Sequence, residues 1–520
     1  MTKIVTTHYP ISLSTLPSSW KSTTVGEVTF DIQPGFASGV HNQEGRGIPH
    51  LRPMNVDREG RLDLTVVKYV SAANPLRVQF GDVLFNNTNS AELIGKTAHI
   101  GVEADLAFSN HMTRLRPVLG IDPRFMAYQL HFLWMTGYFQ HRCTHHVNQA
   151  SVSSTSLAES VPFLVAPSSE QIRIANEIEQ QFTRLEAAVG GLKRVQGNLK
   201  RYRTVVFKAA YEGRLVPTQA ELYRCGKDAC ETVSVLLERT LAERRSRWNA
   251  AQTNGRKTKY KDGPQLDTSV LPALPEGWVW ASLGSIAELK GGLTKGQKRK
   301  STDILREVPY LRVANVQRGF IDLDEVKTIE ATEGEIKELC LENGDVLFNE
   351  GGDRDKLGRG WVWEGKIAEC VHQNHVFRAR LVGDVMKPKL LSWYGNSIGQ
   401  QYFEDEGKQT TNLASLNMTK LSMLPVPIPP VAEQDRIVAE LERRLSVVDQ
   451  VDAAVHANLK RAERLRQAVL LSAFEGKLVL QDPSDEPASA LLERVHAARE
   501  AAPKASLSRG RWKKEAQHVS

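Results

Sequence analysis

Two kinds of hydrophobic pattern alternate along the chain, and the alternation occurs twice. From Ile178 onward, Phe182, Leu185, Val189, Leu192, Val195, Leu199, Tyr202 and Val206 follow one another in steps of three and four. Leu441, Leu445, Val448, Val455, Ala462, Leu465 and Val469 keep the same rhythm, broken once at Asp452. Such steps place the side chains on one stripe of an α-helix, the seam along which a second helix packs. About 40 helical residues make a rod of roughly 60 Å. A lone amphipathic rod needs a partner, and the duplicate rod is the obvious one. Gly190, Gly191 and Gly197 interrupt the first rod where the second has Ala453, Ala454 and Lys460. Each interior glycine costs about 1 kcal/mol relative to alanine, so the first rod is expected to be weak or bent there.

Before each rod the pattern changes. Short β-rich runs at 66–70, 82–85 and 361–363 stand among Gly- and Asn-rich turns, which predicts an α+β domain of about 150 residues. The two stretches are copies of each other. Leu16-Pro17-Ser18-Ser19-Trp20 returns as Leu274-Pro275-Glu276-Gly277-Trp278, and Gly81-Asp82-Val83-Leu84-Phe85-Asn86 returns intact as Gly344-Asp345-Val346-Leu347-Phe348-Asn349. Leu51-Arg52 with Asn55-Val56 matches Leu311-Arg312 with Asn315-Val316, and Asn110-His111 matches Asn374-His375. Glu170-Gln171 matches Glu433-Gln434, and Tyr211-Glu212-Gly213 matches Phe474-Glu475-Gly476. The offset drifts from 258 to 264, as a tandem duplication of a unit of about 260 residues would give. A shorter helical signal follows each rod, at Val235-Leu236-Leu237-Glu238-Arg239 and Ala490-Leu491-Leu492-Glu493-Arg494. The expected layout is a first domain at 1–167, a rod at 168–216 and a helical basic connector at 217–273. A second domain at 274–430, a second rod at 431–480 and a basic tail at 481–520 complete it.

Composition narrows the classes. Apolar residues at 41% and charged residues at 24% belong to globular domains, and 520 residues suffice for three or four of them. No apolar run approaches the roughly 20 residues of a membrane-spanning helix. Met1 to Trp20 lacks the basic and apolar segments of a signal peptide. Cys143, Cys225, Cys230, Cys340 and Cys370 are too few and scattered for a disulfide framework, so a reducing cytoplasm is the expected location. The net charge is +7, with the excess gathered at 239–262 and 499–514. These stretches suit either polyanion contacts or solvated connectors.

Catalytic constellations are not apparent. Gly95-Lys96-Thr97 has the end of a phosphate-binding loop, but Ser90 stands where the motif needs glycine. Gly291, Gly292 and Gly296 do not fit the dinucleotide-binding pattern. Asp322, Asp324 and Lys327 are weak support for a metal nuclease. His141, His145 and His146 with Cys143 have metal-like types but no second ligand pair at zinc spacing. No tetrad of an amino-directed DNA methyltransferase occurs.

The order of parts resembles the specificity subunit of type I restriction–modification systems over nearly the whole chain. The marks are a globular domain, a Glu-Gln helix ending in Glu-Gly-Arg/Lys-Leu-Val, a Leu-Leu-Glu-Arg connector and Leu-Pro-x-x-Trp, then the same again. The most specific are Leu424-Pro425-Val426-Pro427-Ile428-Pro429-Pro430 before Glu433-Gln434, and Phe474-Glu475-Gly476-Lys477-Leu478. The first copy keeps only two of those prolines, in Val161-Pro162-Phe163-Leu164-Val165-Ala166-Pro167. The resemblance implies a non-catalytic subunit whose two recognition domains each read half of a gapped, asymmetric site in double-stranded DNA. The rods, paired as an antiparallel coiled coil, would fix the spacing. It also implies two copies of a methylation subunit as partners, restriction subunits that can join, and S-adenosylmethionine, ATP and Mg held by those partners, with no cofactor on this chain. A coiled-coil scaffold without sequence readout is the competing reading.

Direct readout needs Arg/Lys for guanine and Asn/Gln for adenine, carried on loops. In the first domain these types gather at 43–46, in Asn86, Asn87, Thr88 and Asn89 with Lys96, and at 145–154. In the second they are Lys295 and Lys298, then Asn349, Arg354, Lys356 and Arg359, then Lys408, Gln409, Thr410 and Asn412. The loop after each Gly-Asp-Val-Leu-Phe-Asn strand differs between copies, as two readers of different bases require. Arg52 and Arg312 suit either an ion pair or a phosphate contact.

Overall fold

The computed structural model describes residues 9–71, 76–147, 149–225, 231–251, 260–296, 303–352, 354–409 and 414–501. The chain divides into two compact units, residues 1–192 with 456–520 and residues 193–455. Each unit holds one α+β domain and one half of each long helix.

In the first unit an antiparallel sheet runs in the order Thr29–Pro34, Met112–Pro117, Val83–Asn86, Thr97–His99. Alternation along the Val-Leu-Phe run sends Val83 and Phe85 into one core and Leu84 into another on the opposite face. The first core is closed by the helix Pro123–Met135, which starts with Asp122 accepting from the backbone N–H groups of Arg124 and Phe125. A second sheet joins Lys68–Val70, Ile48–Leu51 and Ala107–Phe108. Lys21–Thr24 pairs with Pro162–Val165 where the domain meets the helix.

The second unit repeats the plan. Ala287–Lys290, Val376–Leu381 and Val346–Asn349 form the main sheet, and Val346 and Phe348 face one core while Leu347 faces another. The strand expected at 361–363 is reduced to one isolated bridge, Val346 to Val362. Gly358, in a left-handed conformation, and Gly360 precede it, and they cut the pairing short. Val279–Ser282 pairs with Pro425–Ile428 in the register used by the first unit, so the missing prolines there do not alter the junction.

The long helices are Ser168–Tyr211 and Val431–Phe474, each 44 residues, offset by 263 (168 to 431). The first runs unbroken through its three glycines, because both ends are anchored. Ile174, Ile178 and Phe182 are buried in one unit, and Val206, Ala210 and Tyr211 in the other. Helix halves pair antiparallel within each unit. In the first, Arg466 meets Glu186 at 3.2 Å, with the Arg466 guanidinium 4.2 Å from the Phe182 ring centre, and Arg173 meets Asp485, in the turn beyond the second helix, at 2.5 Å. In the second, Arg203 pairs with Asp449, and Arg436 donates to Gln219, which starts the short helix Gln219–Arg224 beyond the first rod, at 3.1 Å. The offset of 263 carries Glu186 onto Asp449 and Arg203 onto Arg466, so the two units use equivalent pairs. Of the expected seam, Val448, Val455 and Ala462 are buried at heptad spacing, whereas Val195, Tyr202 and Leu465 are exposed. Two paired helices cover a stripe narrower than the full three–four pattern. The shorter signals are helices Val233–Ala251 and Ala488–Ala501.

The repeated motifs are the joints of this frame. Trp20 Nε1 donates to Glu170 at 3.0 Å, and Trp278 Nε1 donates to Glu433 at 3.0 Å. The neighbouring glutamine ties helix to domain. Gln171 accepts from the Asp122 N–H and donates to the Ala166 carbonyl, as Gln434 accepts from the Lys387 N–H and donates to Val385 and Pro429. Gly213 and Gly476 end the helices with positive φ, and a Cβ there would lie 2.5 Å from Pro275 Cγ and 2.4 Å from Pro17 Cγ respectively. The Glu-Gly and Leu-Pro-x-x-Trp motifs thus touch each other.

Candidate nucleic-acid interface

Residues identical in both copies turn out to build the scaffold. Asp82 accepts from Arg116 at 2.8 Å, and Asp345 accepts from Arg380 at 2.8 Å. Asn55 and Asn315 each bind three backbone groups of their own turn. Asn86 and Asn349, expected among the readers, are fully buried and donate to the carbonyls of Pro53 and of Val316. Asn87 is also interior, donating to Asn110 and Thr113. Lys96 is buried with its ammonium on the carbonyls of Pro53 and Val56, and burial holds its pKa below the ordinary lysine value. These four side chains face inward, where carbonyl and hydroxyl oxygens take the place of water around their N–H groups. Arg312 donates to the Glu325 carbonyl at 3.3 Å, on the side of a structural role.

The strand following each buried asparagine leaves the main sheet. In the first domain Thr88–Asn89 pairs with Ala150–Ser151, which pairs with Thr144–His145. In the second, Gly351–Gly352 pairs with Ala414–Ser415, which pairs with Lys408–Gln409. Loops more than 50 residues apart in sequence therefore meet in one small three-stranded sheet, and both copies build it. One strand is held down by a buried residue, Ala150 or Ala414, and in the first sheet the tip residues His146 and Val147 are exposed. Thr88 and Asn89 are half-buried on this sheet.

The exposed chemistry of the two sheets differs. The first carries Arg142, Thr144, His145, His146 and Gln149, all exposed. Arg142 lies 4.6 Å from the Tyr138 ring centre, His145 Nε2 is 3.7 Å from Cys143 Sγ, and His146 Nε2 is 3.0 Å from Ser151 Oγ. The second has Arg354, exposed and donating to the Glu404 carbonyl at 3.3 Å, with Lys356 and Arg359 half-buried behind it. At its base His375 Nδ1 is 2.6 Å from Glu350 Oε2. Lys295 is exposed at a separate turn. Lys298, Thr410 and Asn412 lie outside the described residues. Arg142 and the Glu350–His375 pair were missed from sequence. Arg142 sits outside the Asn-rich loops, and the Glu350–His375 contact joins residues 25 apart. Among the described residues no group of three or more His, Cys, Asp or Glu is placed to hold a metal ion, and no helix is long and apolar enough to cross a membrane.

Two domains of one design, with equivalent joints and unlike loops, define a duplicated two-domain protein. A family described as the type I restriction modification DNA specificity domain matches residues 275–455. The specificity subunit of the type I restriction enzyme EcoKI of Escherichia coli (strain K12) is 22% identical over 522 residues, covering 94% of this chain and 98% of its own. The StySPI specificity subunit of Salmonella potsdam is 22% identical over 505 residues, covering 93% and 96%. A solved chain from work on complex assembly and conformational transition of the type I R-M system shares the fold, with a TM-score of 0.54 and 18% identity over 89% of this chain and 99% of that one. The chain is similar to type I restriction specificity subunits over nearly its whole length, and residues 275–455, in its second unit, match the DNA specificity domain.

Proposed function

We propose that this chain is the DNA-reading subunit of a type I restriction–modification complex. Each small three-stranded sheet reads one half of a gapped site in double-stranded DNA, and the paired helices set the gap. The observation that carries this reading is the pair of small sheets, alike in register and unlike in exposed side chains. Equivalent scaffolds with different tips suit half-sites of different sequence. The contacts proposed in the first domain are Thr88, Asn89, Arg142, His145 and Gln149. In the second they are Arg354, Lys356, Arg359 and Lys295, with Lys298, Lys408, Gln409, Thr410 and Asn412 from the sequence alone. Chemistry belongs to partners: two methylation subunits that hold S-adenosylmethionine, and restriction subunits that hold ATP and Mg. A scaffold without readout would have no need of unlike tips on equivalent frames.

The test is adenine-methylation mapping of DNA from cells that express this chain with its methylation subunit. One gapped asymmetric motif, absent when this chain is deleted, is the expected result. Methylation at an ungapped motif, or none that depends on the chain, would overturn the reading.

A further inference from the structure

The two units differ where the recognition domain faces its paired helix halves. In the first unit the turn at 57–61 closes onto the helices. Arg61 reaches Glu186 at 2.7 Å, Arg466 donates to the Glu59 carbonyl at 3.5 Å, and the Arg58 carbonyl lies 3.2 Å from His131 Nε2. Arg466 is only 9% exposed there. The equivalent turn of the second unit has the same left-handed glycine, Gly319 for Gly60, followed by Phe320 in place of Arg61. Its Arg318 is drawn aside to the Asn396 carbonyl at 3.4 Å and to Gln400 at 3.1 Å. Phe320 stands 55% exposed, and the side chains of Arg203 and Asp449 are 41% and 63% exposed.

What the first unit fills, the second leaves as a groove of about 1140 Å³. One wall is Phe320 with Trp361 and Trp393, whose rings meet edge-to-face at 5.9 Å, and the other is Lys200, Arg203 and Leu445. Four basic residues line it against two acids, Glu442 and Asp449. Those acids pair with Lys389 and Arg203, while Lys200 is exposed. An aromatic wall facing surplus cations complements a chain segment with a large apolar side chain beside carboxylates. The first unit shows that a turn of peptide fits such a cleft and satisfies its arginine through a carbonyl.

We propose that this groove docks an extended segment of the methylation subunit, carrying a large apolar side chain flanked by carboxylates, and that the first unit has no such site. The inference rests on the reading that the chain assembles with methylation subunits. Its consequence is that the two copies bind unequally.

The test uses the full chain with purified methylation subunit. A photo-crosslinking phenylalanine derivative placed at Ile398, which lines the groove and is 39% exposed, reports what occupies it. The expected adduct is with the methylation subunit, and adducts with DNA only, or none, overturn the proposal. Titration followed by native mass spectrometry then compares wild type with Lys200→Glu and with Phe320→Arg, which borrows the first unit's closing residue. Both variants should weaken one copy about tenfold, leaving the other copy and the melting temperature unchanged. Variants that bind both copies as tightly as the wild type, or that weaken both equally, contradict it. If the wild-type chain itself binds no methylation subunit, the proposed function fails first, and that result is read without any variant.

Discussion

Replacing Glu433 by Leu removes the acceptor at the centre of the second unit's joint. The carboxylate is fully buried, takes Trp278 Nε1 at 3.0 Å on one oxygen and the Gln219 N–H at 2.8 Å on the other, and burial pushes its pKa up. Each bond is charge-assisted, and each donor left behind is buried. Leaving a buried donor unpaired costs about 1–3 kcal/mol, so two cost about 3–5 kcal/mol, partly offset by the removal of a buried charge. Glu433→Gln keeps one acceptor and should cost about 1–2 kcal/mol. The assay is urea unfolding of the full chain, with hydrogen exchange locating the loss at Val279–Ser282 and its neighbours. A cycle with Trp278→Phe isolates the pair, and the expected coupling is about 1.5–3 kcal/mol. A coupling under about 0.5 kcal/mol, with Glu433→Leu no worse than Glu433→Gln, would refute the view that this bond holds domain to helix.

Other consequences can be checked on the same protein. His131 and His372 are buried with pKa values pulled down to about 4, so their neutral forms stabilise each unit above about pH 6.5, and this is lost as pH falls toward 4. Urea midpoints should drop between pH 7 and pH 5 by the equivalent of about 2 kcal/mol per histidine, and His372→Gln should remove its share. Gly213→Ala meets both a positive φ and Pro275, and should destabilise the second unit by about 2–3 kcal/mol in thermal unfolding. Arg142→Ala and Arg354→Ala should each weaken DNA binding and lower the salt slope by about 1, whereas Lys96→Met, on a buried residue, should leave the slope unchanged.

The duplication was legible because motif and offset are both sequence properties, and helices of equal length at an offset of 263 were the result. The readers were less legible. Asn86 and Asn349 look like loop-tip asparagines, yet each bonds a carbonyl 33 residues away. No local pattern reveals that distance. A clue existed, however: a residue that reads different bases should differ between the copies, and these two asparagines are the same. The same logic points to Arg142 and Arg354, which have no identical counterpart. The exposed seam residues Val195, Tyr202 and Leu465 fit periodicity alone, which cannot tell the middle of a stripe from its rim.

The most direct test of independent readers is a domain exchange. Residues 1–167 would be replaced by the corresponding segment of the Escherichia coli (strain K12) relative, and methylated adenines mapped across the genome. The account predicts that one half of the gapped motif changes while the other half and the gap length persist. A change in both halves, or in the gap, would contradict it.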